Sequence, residues 1–128
     1  MRHVFRAMKR DADQPVIGDS ARALGVRAVG ADADVHPDQN GVVLPLRGGM
    51  SVAPDDPRLL PHHRRPRELL GSGKDPVWSV ADADLGAAIM FRLTSDEHGL
   101  LEPSVAMQLE DFRQALVETR PSWVVWTP

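Results

Sequence analysis

The stretch Arg47–Pro57 constrains the fold of this chain more than any other part of the sequence. Two adjacent glycines, Gly48 and Gly49, let the backbone turn and approach a ligand closely where a Cβ would obstruct it. The next four residues are typical of a short strand, and they include one small hydroxyl side chain, Ser51. Pro54 and the proline three residues later end that strand and exclude a helix directly after it. The sequence therefore predicts a serine at the rim of a strand, where it is suited to position a ligand.

The chain has 128 residues, a length that predicts a single domain over residues 1–128 with one hydrophobic core. Cysteine is absent, which excludes disulfides, thiolate metal sites and a cysteine nucleophile. No apolar run approaches the roughly 18 residues that span a bilayer, so no membrane partner is expected. Basic residues interrupt the first ten positions, which therefore do not resemble a signal peptide. We expect a cytoplasmic protein, and delivery into another cell by a signal-independent secretion system stays open.

Periodicity and turn residues predict a mixed α+β fold. The expected strands are His3–Met8, the segment around Ser51, Val77–Val80 and His98–Glu102. The clearest expected helix is Gln108–Thr119, because its apolar residues recur at helical spacing. Two weaker helices are expected. The first begins at Asp19 or Ser20 and ends at Leu24, and the second begins at Asp82 or Asp84 and ends at Met90. A strand over Met90–Leu93 is the alternative to the second helix. Residues 57–66 are too rich in proline for regular structure, so they predict a long loop that carries a cluster of arginines and the His62–His63 pair.

Three polar residues are expected on strands, namely Arg6, Ser51 and Glu102. An arginine within an apolar strand either binds an anion or reaches solvent at a sheet edge, because burying an unpaired charge is costly. Its planar guanidinium matches a phosphate with two parallel hydrogen bonds. Glu102 is either a solvated carboxylate at a strand end or, in a cleft, a group that stabilises positive charge. A lone serine is weak support for a site, since turn hydroxyls often bond the nearby backbone.

The order of these residues resembles the arginine–serine–glutamate class of ADP-ribosyltransferases. The chain also holds three short patches, in the order Phe5-Arg6-Ala7, Gly48-Gly49-Met50-Ser51-Val52 and His98-Gly99-x-x-x-Pro103. With these patches it resembles more closely the compact ADP-ribosyltransferase-like toxins of bacterial type VI secretion. The pattern departs from the arginine-specific enzymes at Leu100, where they carry Glu or Gln, so transfer to a protein arginine is not expected. The class built on His, Tyr and Glu is excluded, because the chain has no tyrosine.

The resemblance implies a fold of small split sheets with one or two flanking helices that grips NAD as a substrate. It implies an NAD-dependent toxin that cleaves the nicotinamide–ribose bond and transfers ADP-ribose to an unidentified macromolecule. An immunity protein in the producing cell would be a further partner. The catalytic residues would be Glu102 and Ser51, and the residues that bind the dinucleotide would be Arg6, Gly48, Gly49, Ser51, Arg64 and Arg65. No metal is implied.

Two other functions fit the sequence. His98 and Glu102 lie four residues apart, so on a strand they share one face, and with the loop arginines they could act as acid and base in a small ribonuclease. Alternatively, the chain is a protein-binding domain without chemistry, whose basic loop meets an acidic partner. The segment around Ser51 approaches the nucleophile elbow of serine hydrolases, but that motif requires a helix that Pro54 prevents. The three tryptophans are expected in the core, since they are not interleaved with the arginines.

Overall fold

A six-stranded antiparallel sheet with one helix forms the protein, and the computed structural model describes residues 1–128. The strand order in this sheet is β10-β6-β1-β5-β8-β7, and two pairs of two-residue strands, β2-β3 and β4-β9, lie outside it. The elements are β1 His3–Ala7, β2 Arg10–Asp11, β3 Gln14–Pro15, β4 Val42–Val43, β5 Met50–Pro54, β6 Val77–Ala81, β7 Ile89–Ser95, β8 His98–Pro103, β9 Met107–Gln108, α1 Leu109–Glu118 and β10 Val124–Val125. The coarse expectation of an α+β fold is confirmed. No helix has the length and apolar character needed to cross a membrane.

The sheet is nearly divided between β1 and β5. Strand β1 pairs with β6 along its whole length, from His3 to Ala7. With β5 it shares only the pairs Val4–Pro54 and Phe5–Ala53, while the other half of β5 pairs with β8. The strands β10, β6 and β1 thus form one half of the sheet, β8 and β7 form the other, and β5 joins them. Beyond Phe5 the two central strands part.

The sheet buries a different apolar cluster on each face. The larger cluster has 17 buried residues, and the helix contributes Phe112, Ala115 and Leu116 to it. These three residues recur at the spacing of one helical face, which explains why this segment folds as a helix against the sheet. The smaller cluster comprises Phe5, Ala53, Leu60 and Val77. Leu60 belongs to the loop between β5 and β6, residues 55–76, which covers the second face of the sheet. We call it the covering loop.

Most of the expected strands are confirmed, and the expected helix near the end of the chain is α1. Two expected helices are wrong. Between Ser20 and Leu24 the chain makes turns, because the Ser20 hydroxyl accepts a bond from the Arg22 amide and so satisfies the backbone locally. After a single 3₁₀ turn at Asp82–Asp84 the chain turns at Gly86, which has a φ of 83°, and continues as β7, so the alternative strand assignment was the right one.

The leucines of the β7–β8 hairpin provide a test of this core. Leu101 is fully buried, whereas Leu93 on the neighbouring strand is 46% exposed. We expect Leu101→Ala to lower the free energy of unfolding by about 2–5 kcal/mol, because it removes buried methyl groups and leaves a cavity. Leu93→Ala, the matched control, should cost below about 1 kcal/mol. Urea denaturation measures both values, and equal losses would contradict this placement of the core.

Candidate functional site

Arg6 lies in the interior of the sheet and not at an edge. Its strand, β1, is flanked by β6 and β5, and the residue is only 7% exposed. The guanidinium reaches across the parting strands, where Nη1 donates to the Ser51 carbonyl oxygen at 2.8 Å. Nε and Nη2 both donate to the carbonyl oxygen of Ala23, at 3.1 and 3.0 Å. The outward-pointing alternative for this arginine is therefore wrong.

No carboxylate forms an ion pair with Arg6. Burial lowers the pKa of Arg6 to about 10, the negative charge of Asp34 opposes this shift, and the positive charge of Arg64 adds to it. Arg6 therefore stays cationic at neutral pH, although burying an unneutralised charge is unfavourable. Three of its five N–H groups are used in the bonds to carbonyl oxygens, which leaves two Nη hydrogens free for a ligand.

A pocket of about 230 Å³ opens where Arg6 bridges the two strands, and we call it the central pocket. Its apolar wall includes Ala7 of β1, Val52 and Ala53 of β5, and Leu59, Leu60 and Pro61 of the covering loop. Its polar residues are Arg6, Asp34, Ser51, His63, Arg64, Glu97 and His98. The pocket thus combines two guanidinium groups, two carboxylates, a serine and two imidazoles in a partly apolar space. This mixture of an apolar wall with a few polar groups is typical of sites for small molecules.

Glu97 and His98 enter the pocket from the β7–β8 turn. Ser95 pairs with His98 across this turn, so Asp96 and Glu97 form a two-residue hairpin connection. The His98 ring nitrogen Nδ1 lies 2.6 Å from the Thr94 hydroxyl, which fixes the orientation of the ring. Partial burial lowers the pKa of His98 below its usual value of 6.5, so the imidazole is neutral at pH 7. A neutral imidazole can accept a proton from a reacting group.

Two shallower depressions continue the central pocket on either side. The basic depression, of about 220 Å³, shares His63 and Arg64 with the central pocket and is lined in addition by Arg22, Ser72, Lys74 and Asp75. The outer depression, of about 430 Å³, shares Glu97 and His98 with it and also carries Arg58, Arg65 and Ser95. Arg65, expected to bind the dinucleotide with Arg64, therefore lies in the outer depression and does not line the central pocket.

Glu102 does not line the central pocket, although we expected it there with Arg6 and Ser51. Its side chain is fully buried and accepts two hydrogen bonds from Arg92, at 2.7 and 3.0 Å. A third bond comes from the backbone amide of Gly48 at 3.1 Å. His98 and Glu102 were expected to share one face of the strand. The central pocket ends at His98, the first residue of β8, whereas Glu102 lies four residues further along, about 13 Å away. Glu102 instead ties β8 to the glycine pair and to β7.

The glycine pair approaches the protein's own backbone, and neither glycine lines the central pocket. A Cβ on Gly48 would collide with the carbonyl oxygen of Asp34, and Gly48 has a φ of 123°, which favours glycine. A Cβ on Gly49 would collide with the Leu101 carbonyl oxygen. Glycine is therefore required here for close packing of chain against chain, which is a different reason from the expected approach of a ligand.

Two pocket residues, Asp34 and Glu97, were missed in the sequence. The signal for Glu97 was its position beside His98 at a predicted strand end, since such turns often carry functional side chains. Asp34 gave no such signal, because it belongs to an irregular acidic segment that only tertiary contacts bring to β5.

Comparisons with models of known protein families and with curated protein sequences find no match for this chain.

The Glu102–Arg92 pair leads to a prediction about thermal stability. Arg92→Met leaves a fully buried carboxylate with only the Gly48 amide as a partner, so we expect the melting temperature to fall by roughly 10 °C. Glu102→Gln should cause a smaller loss, because the Arg92 side chain is 34% exposed and can turn to water. Differential scanning calorimetry at pH 7 measures both changes. The reverse order of the two losses would contradict the role of Arg92 as the partner of a buried charge.

Proposed function

We propose that this protein is an NAD-dependent ADP-ribosyltransferase-like toxin domain, which binds NAD in the central pocket and cleaves its nicotinamide–ribose bond. The observation that carries this proposal is the buried guanidinium of Arg6, which faces the pocket without a carboxylate partner at the point where the sheet parts. A phosphate or ribose oxygen of the ligand would complete its hydrogen bonds. The order of Arg6 and Ser51 in the chain and their shared position in one pocket agree with the resemblance to that class of enzymes.

The mixed charge of the central pocket favours NAD over a purely anionic ligand. NAD carries a positive nicotinamide ring at one end of a negatively charged diphosphate. The carboxylates of Asp34 and Glu97 suit the cationic ring, and the guanidiniums of Arg6 and Arg64 suit the phosphates. A nucleic-acid backbone would bring only negative charge and would be repelled by both carboxylates.

The sizes of the pockets are consistent with a ligand that extends beyond the central pocket. Pockets for drug-sized ligands occupy roughly 300–1,000 Å³, whereas the central pocket has about 230 Å³. It therefore suits the nicotinamide riboside half of NAD. The diphosphate would then follow Arg64 into the basic depression towards Lys74, because Arg64 lines both spaces and neither cation forms an ion pair.

Cleavage breaks the bond between the ribose C1′ and the ring nitrogen of nicotinamide. The electron pair leaves with the ring, which becomes neutral, and positive charge develops on the ribose. A carboxylate held near that charge stabilises the transition state without having to reorganise. The acceptor of ADP-ribose is then a macromolecule or water, and a toxic activity would require an immunity protein in the producing cell.

NAD binding provides the direct test, with the arginines of one loop as matched variants. Arg64 lines the central pocket and forms no ion pair, whereas Arg67 on the same loop is exposed and lines neither this pocket nor the two depressions. We expect Arg64→Met to weaken NAD binding by roughly 10-fold or more, because it removes a charged hydrogen bond to phosphate. Arg67→Met should leave the affinity unchanged. Isothermal titration calorimetry measures the binding, and release of nicotinamide by the wild-type protein measures cleavage.

A wild-type protein that neither binds NAD nor releases nicotinamide would end the proposal. Arg6→Lys serves as a second variant, since it keeps the buried charge but loses the planar fork. Its circular dichroism spectrum controls for folding, because Arg6 also bridges the parting strands.

A ribonuclease is the second candidate, since His98 shares the central pocket with Arg6 and Arg64. The sequence predicted Glu102 as the partner of His98 in acid–base catalysis. Glu102 lies about 13 Å further along β8 and is paired with Arg92, so Glu97 would have to be the second acid–base group. The discriminating measurement is the cleavage of single-stranded RNA. Cleavage that is lost in His98→Ala, with no release of nicotinamide, would favour the ribonuclease. Neither activity would favour a binding domain.

A further inference from the structure

We infer that Glu97, on the turn between β7 and β8, is the carboxylate that stabilises the positively charged ribose during cleavage, and that Glu102 belongs to the structural frame. This inference rests on the proposed function. The catalytic carboxylate is then Glu97, just before β8, and not Glu102 near the buried end of that strand. The two glutamates differ in burial, in hydrogen bonding and in access to the central pocket.

Glu102 is not accessible to a ligand in the central pocket. It is fully buried, and three N–H groups already donate to its two oxygens. For Glu102 to meet a ribose, Arg92 would have to leave a bidentate contact, and the Gly48 amide would have to give up its bond. Loss of the Arg92 contact would disturb the pairing of β7 with β8. Loss of the Gly48 bond would disturb the contact between β8 and the residues just before β5.

Glu97 has the opposite character. It is exposed, it forms no ion pair, and it lines both the central pocket and the outer depression. It therefore lies between the proposed NAD site and an open route by which an acceptor or water can approach. Its neighbour His98 is a neutral imidazole held by Thr94, at the same boundary between the two spaces.

Asp34 is the other carboxylate of the central pocket, and it is already engaged. One of its oxygens accepts a bond from the Arg27 amide at 2.8 Å. Its charge also acts on Arg6, where it opposes the lowering of the pKa of that guanidinium by burial. Asp34 is therefore held by the backbone and acts on Arg6 only from a distance, and Glu97 remains as the carboxylate of the central pocket without a hydrogen-bond partner.

Cleavage of NAD and transfer of ADP-ribose conserve charge and atoms. The C1′–N bond breaks, its electron pair moves onto the nicotinamide ring, and the negative charge of Glu97 stabilises the cationic ribose. The acceptor oxygen or nitrogen then forms a bond to C1′ with its lone pair. His98 takes the proton that the acceptor loses, because a neutral imidazole can bind it. The products are nicotinamide, an ADP-ribosylated acceptor and one proton.

The test compares three variants that each replace a carboxylate with an amide of the same shape. Glu97→Gln removes the inferred charge, Asp96→Asn removes a charge from the same turn but outside the central pocket, and Glu102→Gln changes the buried pair. We expect Glu97→Gln to slow nicotinamide release by about 100-fold or more. It should weaken NAD binding by no more than about 5-fold, because Glu97 is exposed and its attraction to the cationic ring is screened by water. Asp96→Asn should release nicotinamide at the wild-type rate. Glu102→Gln should lower the melting temperature and retain turnover in the folded protein.

The outcomes separate the two claims. A wild-type protein that releases nicotinamide, with Glu97→Gln equally active, overturns the role of Glu97 and leaves the NAD proposal standing. Loss of turnover in folded Glu102→Gln at unchanged NAD affinity, measured well below the melting temperature of that variant, overturns it as well, and returns the chemistry to Glu102. A wild-type protein without NAD binding or cleavage overturns both claims.

Discussion

One buried positive charge governs the organisation of this protein. The guanidinium of Arg6 takes the place that ladder hydrogen bonds would fill between β1 and β5, because it donates directly to the Ser51 carbonyl oxygen on the opposite strand. A paired ladder would close the sheet at this point. With a guanidinium there instead, the strands stay apart, and the space between them becomes the floor of the central pocket. The same side chain holds the Ala23 carbonyl and so fixes the segment that forms one wall.

The covering loop completes the pocket because it is ordered, although its only regular structure is two single 3₁₀ turns at Pro57–Leu59 and Arg67–Leu69. Prolines restrict its backbone, and its amides bond within the loop, as from Gly73 to the Arg65 carbonyl and from Ser72 to the His62 carbonyl. A Cβ on Gly71 or Gly73 would collide with the backbone of Arg64 or Arg65, so the returning chain packs closely against the arginines. This packing holds Arg64 at the boundary between the central pocket and the basic depression. An arginine on a freely moving loop would lose more entropy on binding a phosphate.

The candidate site was predictable in part. Arg6, Ser51 and Arg64 were expected at a ligand, and they do line one pocket. Glu102 was misplaced because alternation along a strand fixes which face a side chain occupies but not how far a pocket extends along that face. The glycine pair was expected to approach a ligand, but it approaches the backbone at Asp34 and Leu101 instead. Sequence alone could not tell whether the approaching group is a ligand or another part of the chain.

The sequence by itself determined the α+β class, most of the strands and the helix α1, because these depend on local periodicity and on proline and glycine. It also determined that residues 57–66 form no strand and no long helix, although Pro57–Leu59 make one 3₁₀ turn that was not expected. It also determined that a charged side chain would stand within an apolar strand. Only the tertiary structure decided that β1 lies inside the sheet and that Glu102 forms an ion pair with Arg92. It also decided that Asp34 and Glu97 line the same pocket. The physical reason is that burial and ion pairing arise between residues far apart in the chain, and no local pattern specifies which of them come together.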